Sequence, residues 1–327
     1  ITKATIDNVR SRKWLGHLAY AQNDESELVH PGMRSMEVDS APENIAEFRK
    51  RMEAKYSTIE ALNQRWKSNY ATFEDIQPVL SAEAKAQRKY AEFIEWRNFN
   101  CDRWTEAHRL VADLVKQEDP GAPFSFQNSY GQSVFGGNDY WRLMTEAGFD
   151  FSTEYGIYNS MGRTSSIRHL DEFIRSFRPE MTHRPWGGFS QNPDYAKYKM
   201  WRTSLHRFAG FTHYCLTGSS YRLLDSAPSY AITKYANEYT KSLAESRLAD
   251  GLGKLFLEYE WKKRDIAVYY SFDSMYTAFL LGPETRNFQM LKDSPLTNYY
   301  TGRQNVQYLL EGLLYQYDFV SYEQVSK

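Results

Sequence analysis

Apolar and polar positions along this chain follow two periods, and the switches between them mark the elements. Residues 16–22 are short and apolar-rich and are closed by the polar Asn23-Asp24-Glu25, a pattern that predicts a buried strand ending in a loop. From Ala41 to Trp66 apolar residues recur at Ile45, Phe48, Met52, Tyr56, Ile59 and Leu62, which is helical spacing. After Pro78 a longer helix is predicted to about Gln117. Its stripe is Tyr90, Phe93, Ile94, Cys101, Trp104, Val111 and Leu114, and Pro120-Gly121 stops it.

Four units of one design follow. Phe124–Tyr130 reads as a strand with a helix at Tyr140–Ala147, and Phe149–Tyr155 as a strand with a helix at Ile167–Phe177. Met181–Phe189 is a strand candidate followed by a helix at Tyr195–Phe208, and Phe211–Leu216 one followed by a helix at Tyr230–Leu248. Strand alternating with helix at this spacing predicts βαβ units around a parallel sheet. Such folds carry their active sites at the strand C-termini, where this chain concentrates polar and aromatic residues. Asp265–Ser271 opens afresh as an apolar strand after the charged stretch Glu258–Arg264, with a helix at Asn305–Leu314 and a strand at Tyr317–Val320 behind it. The predicted boundary is near Lys263, dividing 1–262 from 263–327.

Composition narrows the function classes. Lys+Arg 40 against Asp+Glu 41 gives a net charge of -1, so no basic surplus points to nucleic acid. No apolar run reaches the roughly 18 residues needed to span a bilayer. Aromatic residues make up 16%, which suits either a large core or flat faces for sugar rings. Cys101 and Cys215 are too far apart in sequence for a CxxC or zinc pattern, and Cys101 falls on a buried helical stripe, as a packed thiol does. The chain starts at Ile1 with no signal-like region, and that start reads as internal to a longer protein, which leaves localisation unread.

Asn23-Asp24-Glu25 is the leading candidate for chemistry. A carboxylic acid leaving a strand behind an Asn can protonate a glycosidic oxygen if burial or a neighbouring carboxylate keeps it protonated. Asp24 and Tyr20 on the incoming strand are available for that. The same three residues equally suit a polar loop that caps a helix.

Lys55-Tyr-Ser-Thr-Ile-Glu-Ala-Leu-Asn-Gln-Arg-Trp66, followed by Tyr70-Ala-Thr-Phe-Glu-Asp-Ile76, resembles a segment of glycoside hydrolase family 42 β-galactosidases that comes shortly after their acid/base Glu. The stretch from Asp265 to Val320 is similar to the start of the trimerisation domain that follows the barrel in that family. The resemblance implies an α/β chain comprising the C-terminal half of a (β/α)8 TIM barrel, strands four to eight, and the opening of a flavodoxin-like or amidotransferase-like α/β domain. It implies retaining hydrolysis of β-glycosides, a carbohydrate partner, a homotrimer at full length and no cofactor. An isolated half-barrel with open sheet edges is expected to be inactive.

Carried onto this sequence, the resemblance makes Glu25 the acid/base with Asn23 and Asp24 beside it; a strict Asn-then-acid register selects Asp24 instead. The nucleophile matches less well. The family places a Glu at the end of strand seven, but Met181–Phe189 has no acid there. Glu154 at the end of strand six is the other candidate, either as nucleophile or as substrate ligand. Asn128, Tyr130, Tyr155, Tyr158, His183, Arg184, Trp186 and Tyr214 are candidate sugar contacts, with Trp186 beside two glycines offering an indole face or simply packing the barrel mouth. His183 and Arg184 suit an acidic or sulfated sugar, or else position a carboxylate.

Other chemistries find no support. The glycine-bearing segments lack GxGxxG and GxxxxGK[ST], Gly218-Ser219-Ser220 is not a GxSxG elbow, and the histidines show no HExxH or paired metal spacing. Two alternatives stay open: a carbohydrate-binding barrel that has lost its nucleophile, and a barrel enzyme acting on something other than glycosides.

Overall fold

Short parallel strand pairs backed by long helices make up the chain in a computed structural model. It describes residues 2–16, 19–22, 26–29, 37, 40–127, 132–152, 170–183, 186–187, 194, 197, 201, 204–205, 212–213, 216–217, 223–225, 228–246, 252–258, 264–285 and 291–325. Strand β1 (Tyr20–Gln22) pairs in parallel with β2 (Phe124–Phe126), in the register Gln22 to Phe126. β3 (Phe151–Ser152) pairs with β4 (Thr182–His183), and β5 (Trp186–Gly187) with β6 (Thr212–His213), again in parallel. β2 and β3 are fastened to each other as well. Asp150 N donates to Phe124 O at 2.9 Å, and Ser125 Oγ donates to Phe151 O at 2.6 Å.

The helical pattern read over 41–66 is two helices, α2 (Pro42–Tyr56) and α3 (Ile59–Trp66). Ser57 turns to φ 63°, and Thr58 then caps α3 by accepting from Ala61 N at 3.2 Å. A similar break at Arg88, φ 58°, separates α4 (Ser81–Gln87) from the 29-residue α5 (Tyr90–Glu118). Periodicity carries through both breaks because neither is marked by Gly or Pro.

The segment that resembles the family motif is a structural clip. Leu62 and Trp66 bury with Phe48, Met52, Ile76, Trp96 and Phe99 in a cluster of their own. Asn63 closes the turn beyond α3, donating to Tyr70 O at 2.8 Å and accepting from Tyr70 N at 2.9 Å and from Ser68 Oγ at 2.8 Å. Trp66 Nε1 donates to Tyr56 Oη, which donates to Glu95; Lys55 pairs with the same carboxylate at 2.7 Å. The Leu-Asn-x-x-Trp spacing thus records packing of α3 on α5.

The larger core runs from Val9 to Phe319. Its helices include α1 (Thr2–Arg12), α6 (Tyr140–Glu146) and α7 (Leu170–Phe177), and its aromatic rings carry it into the C-terminal segment. There β7 (Ala267–Tyr270) pairs in parallel with β8 (Asp318–Ser321), linked through α10 (Phe272–Leu281) and α11 (Pro295–Gly312); α8 (Lys234–Ser246) and α9 (Leu252–Glu258) precede them. Phe93 of α5 stacks on Phe279 at 6.1 Å, and Phe173 of α7 meets Tyr270 and Phe319 edge-on at 4.9 and 4.5 Å. Each such buried ring stabilises by about 1.5–3 kcal/mol. Lys85 finishes α10 by donating to Phe279 O, Gly282 O and Glu284 O at 2.6–2.7 Å.

Some boundaries differ from the sequence reading. The helix expected from Tyr230 starts at Lys234, because Ile232 is drawn into an antiparallel bridge with Leu224, and Thr233 Oγ1 accepts from Ala236 N at 3.1 Å. The helix expected from Asn305 begins at Pro295, with Ser294 accepting from Thr297 N at 3.1 Å. The boundary near Lys263, and the predicted helix over 195–208 apart from isolated positions, lie outside the described residues. Cys101 is a buried free thiol 3.3 Å from Tyr276 Oη, and burial pushes it up to about 12.

Candidate active site

Parallel pairing decides where the candidate residues fall. β1 ends at Gln22, directly before Asn23; β2 ends at Phe126, two residues before Asn128; β3 ends at Ser152, two before Glu154; β6 ends at His213, directly before Tyr214. His183 lies in β4 opposite Ser152, and Trp186 lies in β5 opposite Thr212. Most of the candidates thus follow the carboxyl ends of the strands, and His183 is the last residue of β4; Trp186 is the exception, opening β5. Asn23, Asp24, Glu25, Asn128, Tyr130, Glu154, Tyr155, Tyr158, Arg184 and Tyr214 themselves lie outside the described residues, and of His183 and Trp186 only the backbone is described.

The end of β1 is held from α5. His108 Nδ1 lies 2.8 Å from Gln22 Oε1, so an imidazole protonated on Nδ1 donates to the amide oxygen. The ring is fully buried against Trp104, Phe126 and Phe149, with centroids 4.6, 5.3 and 5.4 Å away. Burial among aromatic faces pushes its pKa down to about 3, so it is neutral wherever the fold is intact near neutral pH.

Beyond the loop the chain is caught again at once. Ser26 N donates to Gln127 O at 2.8 Å, and Ser26 Oγ donates to Gln22 O at 3.3 Å. Leu28 N donates to Gly136 O at 2.8 Å, and Asn138 Nδ2 donates to Ser26 O at 3.4 Å. A Cβ on Gly136 would come within 2.2 Å of Ser133 Oγ, so the serine hydroxyl would have to turn away. Gly137, at φ +76°, would meet Trp104 and Leu28 at 3.1–3.2 Å. Gln22 and Ser26, on either side of 23–25, are thus tied to each other, and Ser26 is tied as well to the residue after β2.

Tyr20 is the incoming-strand residue that the sequence reading placed near the acid, and Glu25 itself lies outside the described residues. It sits at the start of β1, and its hydroxyl donates to Asp119, just past the C-terminal end of α5, at 3.0 Å. The orienting pair Gln22–His108 went unread. His108 lies on the buried stripe of α5 with Cys101, Trp104 and Val111, and a histidine at that spacing signals a core polar group that must find a partner. Among the described residues, no group of three or more His, Cys, Asp or Glu side chains could hold a metal ion, and no helix is long and apolar enough to cross a membrane.

The model of a family described as beta-galactosidase, glycoside hydrolase family 42, matches residues 33–224. A comparison with curated protein sequences gives no match. Among solved structures the chain is similar to the β-galactosidase of the psychrophilic Marinomonas ef1 (13% identity, TM-score 0.68), covering 98% of this chain and 52% of that one. It is also similar to the β-galactosidase of the Antarctic haloarchaeon Halorubrum lacusprofundi (14%, 0.64; 98% and 48%). A third likeness is to an exo-carrageenase of the same family from Bacteroides ovatus (14%, 0.60; 84% and 42%). The chain spans about half the length of these proteins. At such identities the likeness speaks to fold, that of a partial (β/α)8 barrel.

Proposed function

The chain belongs to glycoside hydrolase family 42, and we propose that the protein of which it forms part hydrolyses β-linked glycosides, β-galactosides first among them. The supporting observation is the pair of contacts that flank residues 23–25: Gln22, at the carboxyl end of a half-exposed parallel strand where the sequence predicted a buried one, is held by His108, and Ser26 is held by Gln127. Flanks held in this way suit a segment that carries a catalytic acid, because a positioned acid has less entropy to lose on binding. In this reading Glu25 protonates the leaving oxygen, Asp24 beside it helps keep it protonated, and the reaction retains configuration through a covalent intermediate. Glu154, following β3, is the proposed nucleophile. Asn23, Asn128, Tyr130, Tyr155, Tyr158, His183, Arg184, Trp186 and Tyr214 line the sugar site, and the full-length protein assembles as a trimer.

Aryl β-galactosides test this in the full-length protein. Glu25→Gln lowers turnover of substrates with poor leaving groups by about 10²–10⁴-fold and spares those with good ones. Glu154→Gln abolishes both. Unchanged rates for Glu25→Gln refute its role as acid. Sugar binding without any turnover in the unaltered protein favours the non-catalytic barrel, which the lack of an acid at the end of Met181–Phe189 supports. A sulfated galactan belongs among the substrates, since His183 and Arg184 suit an anionic sugar and one structural relative is an exo-carrageenase.

A further inference from the structure

Residues 128–131, which carry Asn128 and Tyr130, are flanked by two held glutamines. Gln127, directly before them, accepts from Ser26 N at 2.8 Å. Gln132, directly after them, is fully buried and is reached from α11, far along the chain. Arg303 Nη1 donates to Gln132 Oε1 across 171 positions. One turn earlier on the same helix, the Tyr300 hydroxyl donates to Gln132 O at 3.2 Å. Met275 Sδ lies 3.0 Å from that hydroxyl as well, but a thioether is the weaker acceptor and the carbonyl takes the hydrogen bond.

Two side chains at i and i+3 of α11 thus hold both the side chain and the backbone of one residue. An arginine has donors only, so the Gln132 amide must turn its oxygen toward the guanidinium. Arg303 is itself held in place. Its guanidinium lies over the rings of Phe173, Tyr299 and Tyr300, at 5.1, 5.4 and 5.9 Å from their centroids. Nη1 also donates to Tyr299 Oη at 3.3 Å, and Tyr299 donates to Ser271 O, at the cap of α10, at 2.9 Å. The ring faces offset part of the cost of burying the cation. Both hydrogen bonds of Nη1 go to neutral oxygens, so the charge strengthens the bond to the amide instead of being spent on a carboxylate.

We propose that Arg303, seconded by Tyr300, is a positioning residue for the sugar site: α11 fixes Gln132 and, through it, the segment 128–131. The proposal rests on the reading above that Asn128 and Tyr130 contact the sugar. Gln22, before the proposed acid, is held separately by His108. Loss of Arg303 therefore falls on sugar binding more than on proton donation, which is a change in KM with kcat largely kept.

Amide hydrogen exchange and steady-state kinetics of the full-length protein test it. Arg303→Met keeps an apolar stem among Phe173 and the two tyrosines, so the helix stays packed. In this variant the amides of 128–131 exchange about tenfold faster or more, while those of α10 and β8 keep their rates. KM for an aryl β-galactoside rises about tenfold with kcat within about twofold of the unaltered protein. Arg303→Lys, which keeps one charged donor for Gln132, recovers part of both changes. Tyr300→Phe, which removes one oxygen and leaves the ring, moves the same amides by less. Unchanged exchange at 128–131 overturns the proposal, and so does exchange that rises by the same factor across α10 and β8, the mark of a merely structural arginine. Faster exchange at 128–131 with KM unchanged, in a protein that turns the substrate over, overturns it too. Failure of the unaltered protein to hydrolyse any aryl β-glycoside overturns the hydrolytic reading alone, and the exchange rates still decide whether α11 positions 128–131.

Discussion

At the end of β1 the fastening group is a neutral imidazole; at the end of β7 it is a carboxylate paired with a guanidinium. His108 holds Gln22 by one neutral hydrogen bond inside an aromatic box. Tyr270, the last residue of β7, accepts from Tyr140 N at 2.7 Å and donates to Asp139, which Arg142 joins to Asn98 O and Asp102 on α5. Burial acts on both clamps, but with opposite sign. It lowers the His108 pKa from 6.5 to about 3, and it raises Asp139 from 3.8 to about 6 against the pull of Arg142. Desolvation favours the neutral form in each case, and only the direction of titration differs.

The charged clamp should break hardest. Arg142→Met strands Asp139 and Asp102 and costs about 3–5 kcal/mol in urea unfolding at neutral pH; a loss below about 1 kcal/mol would show that the pairing is as weak as on a surface. The two clamps also separate on pH. His108 contributes stability that is full above about 6.5 and drains as pH falls toward 3, a few kcal/mol in all. Asp139 contributes in the other sense, fully below 3.8 and progressively less as pH rises through about 6. Unfolding curves from pH 7 to 4 should therefore flatten in His108→Gln and steepen in Asp139→Asn. Identical slopes in the two variants would remove the distinction.

Gly136→Ala sharpens the picture at the barrel mouth. Its methyl group meets the terminal oxygen of Ser133, which can turn to another rotamer, so the cost is about 1 kcal/mol or less. Gly136 O accepts from Leu28 N, three residues beyond the proposed acid Glu25, so the measurement to set beside stability is KM for an aryl galactoside, which should rise. Arg10→Ala, which removes a bidentate pair with Glu118 at 2.7 Å whose arginine side is exposed, should have the smallest effect, about 1 kcal/mol or less in thermal unfolding.

Much of this architecture was legible from periodicity. The strands at 20–22, 124–126, 151–152, 212–213, 267–270 and 318–321 each fall on or next to an apolar run flanked by polar residues. α10 was missed although its buried residues Phe272, Met275, Tyr276, Phe279 and Leu280 recur at helical spacing, with Asp273, Ser274 and Thr277 on the other face. α1 was missed because it has little apolar face to read, with Val9 its one buried residue. Ser57 and Arg88 break helices in left-handed or related conformations that their side chains do not advertise. For the site, position relative to the strand ends could be read, but its support could not. Gln22 and His108 are 86 residues apart, and no local pattern joins them.

The 29-residue α5 carries both clamps, and at about 1.5 Å per residue it is a rod of roughly 43 Å. His108 and Asp102 sit six positions apart on it, about 9 Å along the axis. A rod transmits displacement without absorbing it. Any slip of α5 along its axis is felt at the end of β1 and at the end of β7 in the same instant and by the same amount, so a change selected for one end of this protein is imposed on the other.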